Sequence, residues 1–134
     1  MTPGPVRSDD SAGSGSEPPA IRVVRRFYHL VDTGDVPGLA ALFAPDARYR
    51  RPGYETMTGP EGLSGFYGGK RTIRSGRHTL TTLLTDGHQV GVFGEFHGVL
   101  NDGEPVDLRF ADGFSVRPDG LFSSRDTYFF APLV

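Results

Sequence analysis

Cysteine and tryptophan are absent from this sequence, and lysine occurs once, at Lys70. Without cysteine there is no disulfide framework, no thiolate nucleophile and no cysteine-ligated metal. With a single lysine, expected on a surface loop, Schiff-base chemistry is not expected. An excess of one charge sign is also lacking. Net charge is −2, and no block of like charges marks a nucleic-acid or anionic-membrane partner. No apolar run reaches the ~18 residues of a membrane span. The N-terminus lacks the basic-then-apolar order of a secretory signal, so a cytoplasmic protein is expected.

What is present falls into distinct textures. Residues 1–18 carry almost no apolar side chains and are rich in Gly, Pro, Ser and Asp. Such a segment buries too little surface to offset its ordering entropy. A disordered leader is expected there, with one domain over 19–134, a length suited to a single core. Helical spacing then takes over. Ile21, Val24, Phe27, Tyr28 and Val31 recur every three or four positions. Pro19 suits the start of that helix and Gly34 its C-terminal cap. Asp35 is placed to cap a second short helix with Leu39, Leu42 and Phe43 inward. ARYRRP reads as a short strand stopped by Pro52, and RPGYETMTG as a loop. A third helix is expected over TGPEGLSGFYGG, with Thr58 and Glu61 at capping-box spacing and Gly68-Gly69 ending it.

After that the period changes from about 3.6 to 2. HTLTTLLT, QVGVFGEFHGVL, PVDLRFADGFSV and LFSSRDTYFF read as four strands. Asp86-Gly87, Asn101-Asp102-Gly103 and Pro118-Asp119-Gly120 supply the turns between them. Three helices, one early strand and a meander make an α+β domain. The expected shape is a curved antiparallel sheet wrapped around three helices, a cone with an internal pocket.

Short motifs do not name a chemistry. GFYGGKRT fails as a phosphate loop, because Ser64 stands at its first glycine and Arg71 where Ser or Thr should follow the lysine. His78, His88 and His97 show neither HxH nor HExxH, so no metal is expected, and no other cofactor. There is no GxSxG.

Single positions therefore carry the reading. Asp112 falls on the same strand face as Val106, Leu108, Phe110, Phe114 and Val116. A carboxylate there must be paired, hydrogen-bonded or protonated. It is a working acid or base in a dry pocket, the partner of a nearby arginine such as Arg125, or an edge or bulge residue that reaches water. Arg125 and Thr127 are expected to face the cavity from the last strand. Tyr49 and Arg51 share a face of the early strand and could hold a carbonyl or carboxylate. Tyr54, on the loop after Pro52, could gate the mouth. Phe27, Phe66 and Phe114 suit a mostly apolar ligand. His78, at the start of a strand, reads as structural.

VVRRFYHLVDTGDVPGLAALFAPDARYRRP, GPEGLSGFY and DLRFADGFSVRPDGLFSSRDTYF together resemble the SnoaL-like branch of the nuclear-transport-factor-2-like superfamily. That superfamily includes ketosteroid isomerases, limonene-epoxide hydrolases and SnoaL-type polyketide cyclases. The isomerase's first-helix tyrosine, base aspartate and protonated aspartate fall, by counting, on Phe27, Arg51 and Asp112, so ketosteroid isomerisation itself is not expected. The hydrolase's Arg-x-Asp is missing from GEFHG. SnoaL-type cyclases use a pocket aspartate as acid/base with a histidine on the preceding strand. The resemblance thus assigns catalysis to Asp112, with His97 and Glu95 turned inward as its partners. The alternative packs Phe96 inward and leaves both polar groups in water.

The expected function is a cofactor-independent cyclase or isomerase acting on an apolar, polyketide-like small molecule, by acid/base or pericyclic ring closure. The rivals are an epoxide hydrolase or epoxide-opening cyclase, and a non-catalytic ligand-binding or dimerisation module. A homodimer packed through the outer sheet face is expected, with no nucleic-acid or membrane partner.

Overall fold

Helix α1 spans Pro19–Thr33. Its three-and-four spacing puts Ile21, Val24, Phe27, Tyr28, Leu30 and Val31 on one buried side. Gly34 ends it at φ 78°, left-handed, with its N–H turned back to the Leu30 and Val31 carbonyls. The computed structural model describes residues 17–131. The leader expected over 1–18 lies outside the described residues except for Glu17 and Pro18. Glu17 is engaged: its carboxylate accepts from Arg25 Nε at 2.9 and 3.1 Å.

Helix α2, Val36–Ala40, starts at Asp35, whose Oδ1 accepts from the Gly38 N–H at 2.9 Å. It is shorter than its apolar spacing suggests. Phe43 opens strand β1, Phe43–Arg50, and pairs with Phe122. A two-residue strand β2, Met57–Thr58, lies inside the stretch that reads as loop. Helix α3, Gly59–Gly65, follows, but Thr58 makes no side-chain cap bond, so the capping box is not formed. Gly68-Gly69 do not end the helix either. The chain widens into a π-helical turn over Phe66–Lys70. Such turns are rare and cluster at functional positions. This one carries Tyr67 and delivers the chain to Arg71.

Strands β3 (Ile73–Asp86), β4 (Gln89–Leu100), β5 (Pro105–Val116) and β6 (Phe122–Phe129) form the meander. The sheet order is β2-β1-β6-β5-β4-β3. β1 runs parallel to β6, and every other pairing is antiparallel. Three helices against a six-stranded, mostly antiparallel sheet give the α+β cone. No helix among the described residues is long and apolar enough to cross a membrane.

Alternation decides which side chains meet the helices. On β5, Val106, Phe110, Asp112, Phe114 and Val116 are buried together. On β4 the inner set is Val90, Val92 and Phe96, and the exposed set is Phe93, Glu95 and His97. Glu95 and His97, expected inward, therefore lie on the outer face. The pleat allows no mixture of the two sets. Burying a phenyl ring and two valines outweighs burying a carboxylate and an imidazole. Glycine makes room for the choice: a Cβ on Gly98 would lie 2.7 Å from the Phe96 ring.

Candidate active site

Asp112 and Arg125 are a buried ion pair, 2% and 3% exposed. Arg125 Nη2 donates to Asp112 Oδ2 at 2.9 Å. Tyr28 donates its hydroxyl to the same oxygen in a short hydrogen bond. Thr127 Oγ1 donates to Oδ1 at 2.5 Å. Three side-chain donors thus converge on the two Asp112 carboxyl oxygens. Burial, then the Asp112 charge, pushes the Tyr28 phenol well above its ordinary range. Burial works against the Arg125 charge, but Asp112 and the neighbouring tyrosines outweigh it and hold the guanidinium ionised. The rings of Tyr49 and Phe27 cover that guanidinium at 4.5 and 4.7 Å from their centroids.

Donor order can be read outward from Asp112. An ionised carboxylate only accepts, so Thr127 must donate to it. Thr127 then accepts from the Tyr49 hydroxyl, 2.9 Å away. The Tyr49 oxygen in turn accepts from Arg51 Nη1 at 2.7 Å. Burial pushes the Tyr49 phenol up to about 12, so it keeps the proton this chain requires. A folded pKa raised above the unfolded one contributes stability that is lost as pH rises. Stability is therefore expected to fall between the ordinary phenol value of about 10 and the Tyr49 value. Urea unfolding of wild type and Tyr49→Phe across that window checks it. The gap between the two proteins should shrink toward the alkaline end, and a constant gap would show that Tyr49 does not titrate with unfolding.

A narrow pocket of about 20 Å³ lies beside this network. Arg51, Tyr67, Arg71, His78, Arg125 and Thr127 form its polar wall, and Phe96, Phe110 and Phe129 face them. A wider cleft of about 300 Å³ adjoins it, sharing Tyr67 and Arg71. Tyr67 accepts from Arg125 Nη1 at 2.7 Å. Its own proton has no acceptor among the described residues.

His78 is held from α1. Asp32 Oδ2 accepts from the His78 backbone N–H at 2.9 Å, and Oδ1 lies 2.6 Å from Nδ1. With a carboxylate as its partner, Nδ1 carries the proton and Nε2 keeps its lone pair. Phe96, Tyr28 and Phe110 cage the ring at centroid distances of 4.7, 5.1 and 5.4 Å. Burial lowers the imidazole pKa, and the Asp32 hydrogen bond offsets part of that shift. The result is a neutral, oriented imidazole on a pocket wall, the form a general base needs.

The sequence expectations divide accordingly. Arg51, Arg125 and Thr127 line the pocket. Asp112 does not; its carboxylate is fully enclosed and bound by Arg125 and Thr127. Tyr49, Phe27, Phe66 and Phe114 are at most 1% exposed and sit in the core rather than on the wall. Tyr54 packs edge-on against Phe66 at 5.0 Å and does not reach the pocket. The first-helix tyrosine that meets Asp112 is Tyr28, one residue beyond the counted position. His97 lies on the outer face between Asp107, 2.6 Å away, and Glu95, 3.6 Å away. Asp32, Tyr67 and Arg71 were not singled out as site residues, and His78 was read as structural. One signal was available. Asp32 is an acid in the last turn of α1, where the helix dipole disfavours negative charge, so its position needs another cause.

A family model described as a SnoaL-like domain matches residues 24–124. The chain belongs to the SnoaL-like domain family. It is thereby a member of the nuclear-transport-factor-2-like superfamily. No curated protein sequence matches it. Solved structures resemble it at low identity. A hypothetical protein from Catenulispora acidiphila with a ketosteroid isomerase-like fold, in complex with trimethylamine, is 23% identical; it gives a TM-score of 0.71 over 79% of this chain and 83% of its own. SalBIII, an epoxide hydrolase/cyclase-like enzyme with a role in pyran ring formation in the polyether salinomycin, is 18% identical, with a TM-score of 0.73 over 82% and 89%. RV0760c from Mycobacterium tuberculosis, in complex with estradiol-17beta-hemisuccinate, is 17% identical, with a TM-score of 0.74 over 84% and 94%. At such identities the likeness is one of fold.

Within this SnoaL-like cone the Tyr28–Asp112 pair is present but closed. The Asp112 oxygen that accepts from Tyr28 also accepts from Arg125.

Proposed function

We propose that this SnoaL-like domain is a cofactor-independent acid/base enzyme, a cyclase or isomerase of a small enolisable molecule of the polyketide type. The observation that carries the proposal is the His78 imidazole, oriented by Asp32 on the wall of an aromatic pocket. His78 Nε2 removes a proton from the carbon beside a carbonyl, and the electron pair moves to the carbonyl oxygen. Tyr67 O–H, on the same wall, is the donor for that oxygen. Asp32 stabilises the imidazolium while it holds the proton. Returning the proton to a different carbon completes an isomerisation. Attack of the enolate carbon on a second carbonyl of the same molecule closes a ring, and the proton passes to the new alkoxide. Asp112 and Arg125 hold the wall and do not touch the reacting atoms.

The epoxide-hydrolase alternative needs a carboxylate on the wall to activate water. No aspartate or glutamate lines the pocket among the described residues. The test is deuterium uptake from heavy water at the carbon beside the carbonyl of α-tetralone, followed by proton NMR. Acceleration by the wild type supports the proposal. A background rate combined with tight ligand binding would favour the non-catalytic binding module.

Phe93, Ala111 and Tyr128 lie in register across β4, β5 and β6. Phe93 is 51% and Tyr128 60% exposed. Glu95 and Arg109, paired in the next row, supply a charged border. We propose a two-fold homodimer through this row. Phe93→Asp combined with Tyr128→Asp should convert the dimer to monomer in sedimentation equilibrium and leave the circular dichroism spectrum unchanged. A wild type that sediments as a monomer would discard the interface.

A further inference from the structure

Two guanidinium groups on the pocket wall lack a counter-charge. Arg51 is 8% exposed. Its hydrogen bond goes to the neutral Tyr49 oxygen, and the Phe66 and Phe129 rings lie 4.9 and 5.1 Å from it. Its Nε is buried with no partner. Arg71 lies against the Tyr67 ring at 5.0 Å, and its Nε is also buried with no partner. Neither side chain forms an ion pair among the described residues. The carboxylates of this region are already committed, Asp112 to Arg125 and Asp32 to His78. Burial lowers the Arg71 pKa; Tyr67 opposes the shift, while Arg51 and Arg125 add to it. The wall thus gathers like charges with one of them neutralised.

Keeping an unpaired charge out of water is costly, and apolar residues of similar volume would serve the fold better. The arrangement becomes favourable when an anion arrives, because a guanidinium offers a planar set of donors matched to a carboxylate. We infer that the pocket takes a substrate bearing a carboxylate, held between Arg51 and Arg71, with its reacting carbon toward His78. The orientation toward His78 rests on the acid/base proposal above; the anion site stands on the two arginines alone.

The experiment is calorimetric titration of the full chain with 2-naphthoate and with the uncharged 2-naphthamide. Naphthoate should bind about tenfold or more tightly than naphthamide, the gain expected of hydrogen bonds between charged groups. Arg51→Met and Arg71→Met should each remove most of that preference and leave naphthamide binding unchanged. Both should melt at or above the wild-type temperature, since a buried unpaired charge is removed. If one variant does not fold, the other and the wild-type comparison decide. Naphthoate binding no tighter than naphthamide, or an unchanged preference in both variants, overturns the inference. His78→Asn separates the two readings. It should keep the naphthoate preference while losing deuterium exchange. Exchange that survives His78→Asn removes the base and leaves the anion site. Exchange lost from a wall with no preference for naphthoate does the reverse.

Discussion

Asp112→Ala is expected to cost about 3–5 kcal/mol of folding stability, the range for removing one partner of a buried ion pair. The Asp112 side chain is 0% and the Arg125 side chain 3% exposed, so water cannot replace the lost carboxylate. Arg125 would be left as a charge among the Phe27, Tyr28, Tyr49 and Phe114 rings. The Tyr28 and Thr127 hydroxyls would lose their acceptor at the same time. Each buried donor left unmade adds a cost of about 1–3 kcal/mol unless it finds another partner. Asp112→Asn keeps the shape and one acceptor but loses the charge, so it should fall between wild type and Asp112→Ala. The double variant Asp112→Leu with Arg125→Met removes both charges and should recover most of the loss. Urea unfolding of these proteins, with Asp112→Leu and Arg125→Met alone added to close the cycle, gives the coupling. A single variant as stable as wild type would show that Arg125 escapes to solvent, and the pair would no longer define the pocket wall.

This pair also shows how far a strand pattern can be read. Asp112 was placed on the inner face by simple alternation, because the pleat is a local property of the chain. Alternation also turns Arg125 inward from the last strand, and the β5–β6 register sets it opposite Phe114, two residues from Asp112 and on the same side of the sheet. GEFHG was harder. Alternation separates Glu95 and His97 from Phe96 but does not say which set meets the helices. The resemblance to cyclases favoured the polar set. The whole strand favoured the other, since Val90 and Val92 travel with Phe96. Burial summed along a strand is the better guide than one position matched to a family.

The His78–Asp32 contact was out of reach of any local pattern. Its partners are 46 positions apart, one on α1 and one on the edge strand β3. Only the packing of helix against sheet brings them together. The π-helical turn at Phe66–Lys70 was hidden differently. Gly68 and Gly69 are strong stop signals, yet the backbone widens through them, and a Cβ at either would meet only open space. That widening precedes Arg71 and therefore precedes half of the anion site.

His78→Asn should slow deuterium uptake at the α-carbon by about 10²–10⁴-fold, the usual contribution of a positioned base. Asparagine keeps a polar side chain near Asp32 but has no lone pair basic enough to take a carbon-bound proton. Asp32→Asn is the positioning counterpart. It no longer fixes the proton on Nδ1, so the rate should fall by a smaller factor. Its pH profile should also move, because the hydrogen bond that raises the imidazole pKa against burial is lost. In the wild type the base must be neutral, so the rate should climb as pH rises through the His78 pKa and then level off. Burial sets that pKa below the ordinary imidazole value of about 6.5. The same shift predicts a stability change of definite sign. A histidine whose folded pKa lies below its unfolded value binds protons less readily when folded. Its contribution is complete above about pH 6.5 and is lost as pH falls through the lower folded value. Wild type should therefore lose stability relative to His78→Asn below about pH 6.5 and run parallel to it above. Exchange rates and urea unfolding over the same pH series test both halves with one pair of proteins. A rate limb centred above 6.5 would mean that Asp32 outweighs burial and holds the imidazole protonated. A His78→Asn variant working at the wild-type rate would place the base elsewhere on the wall.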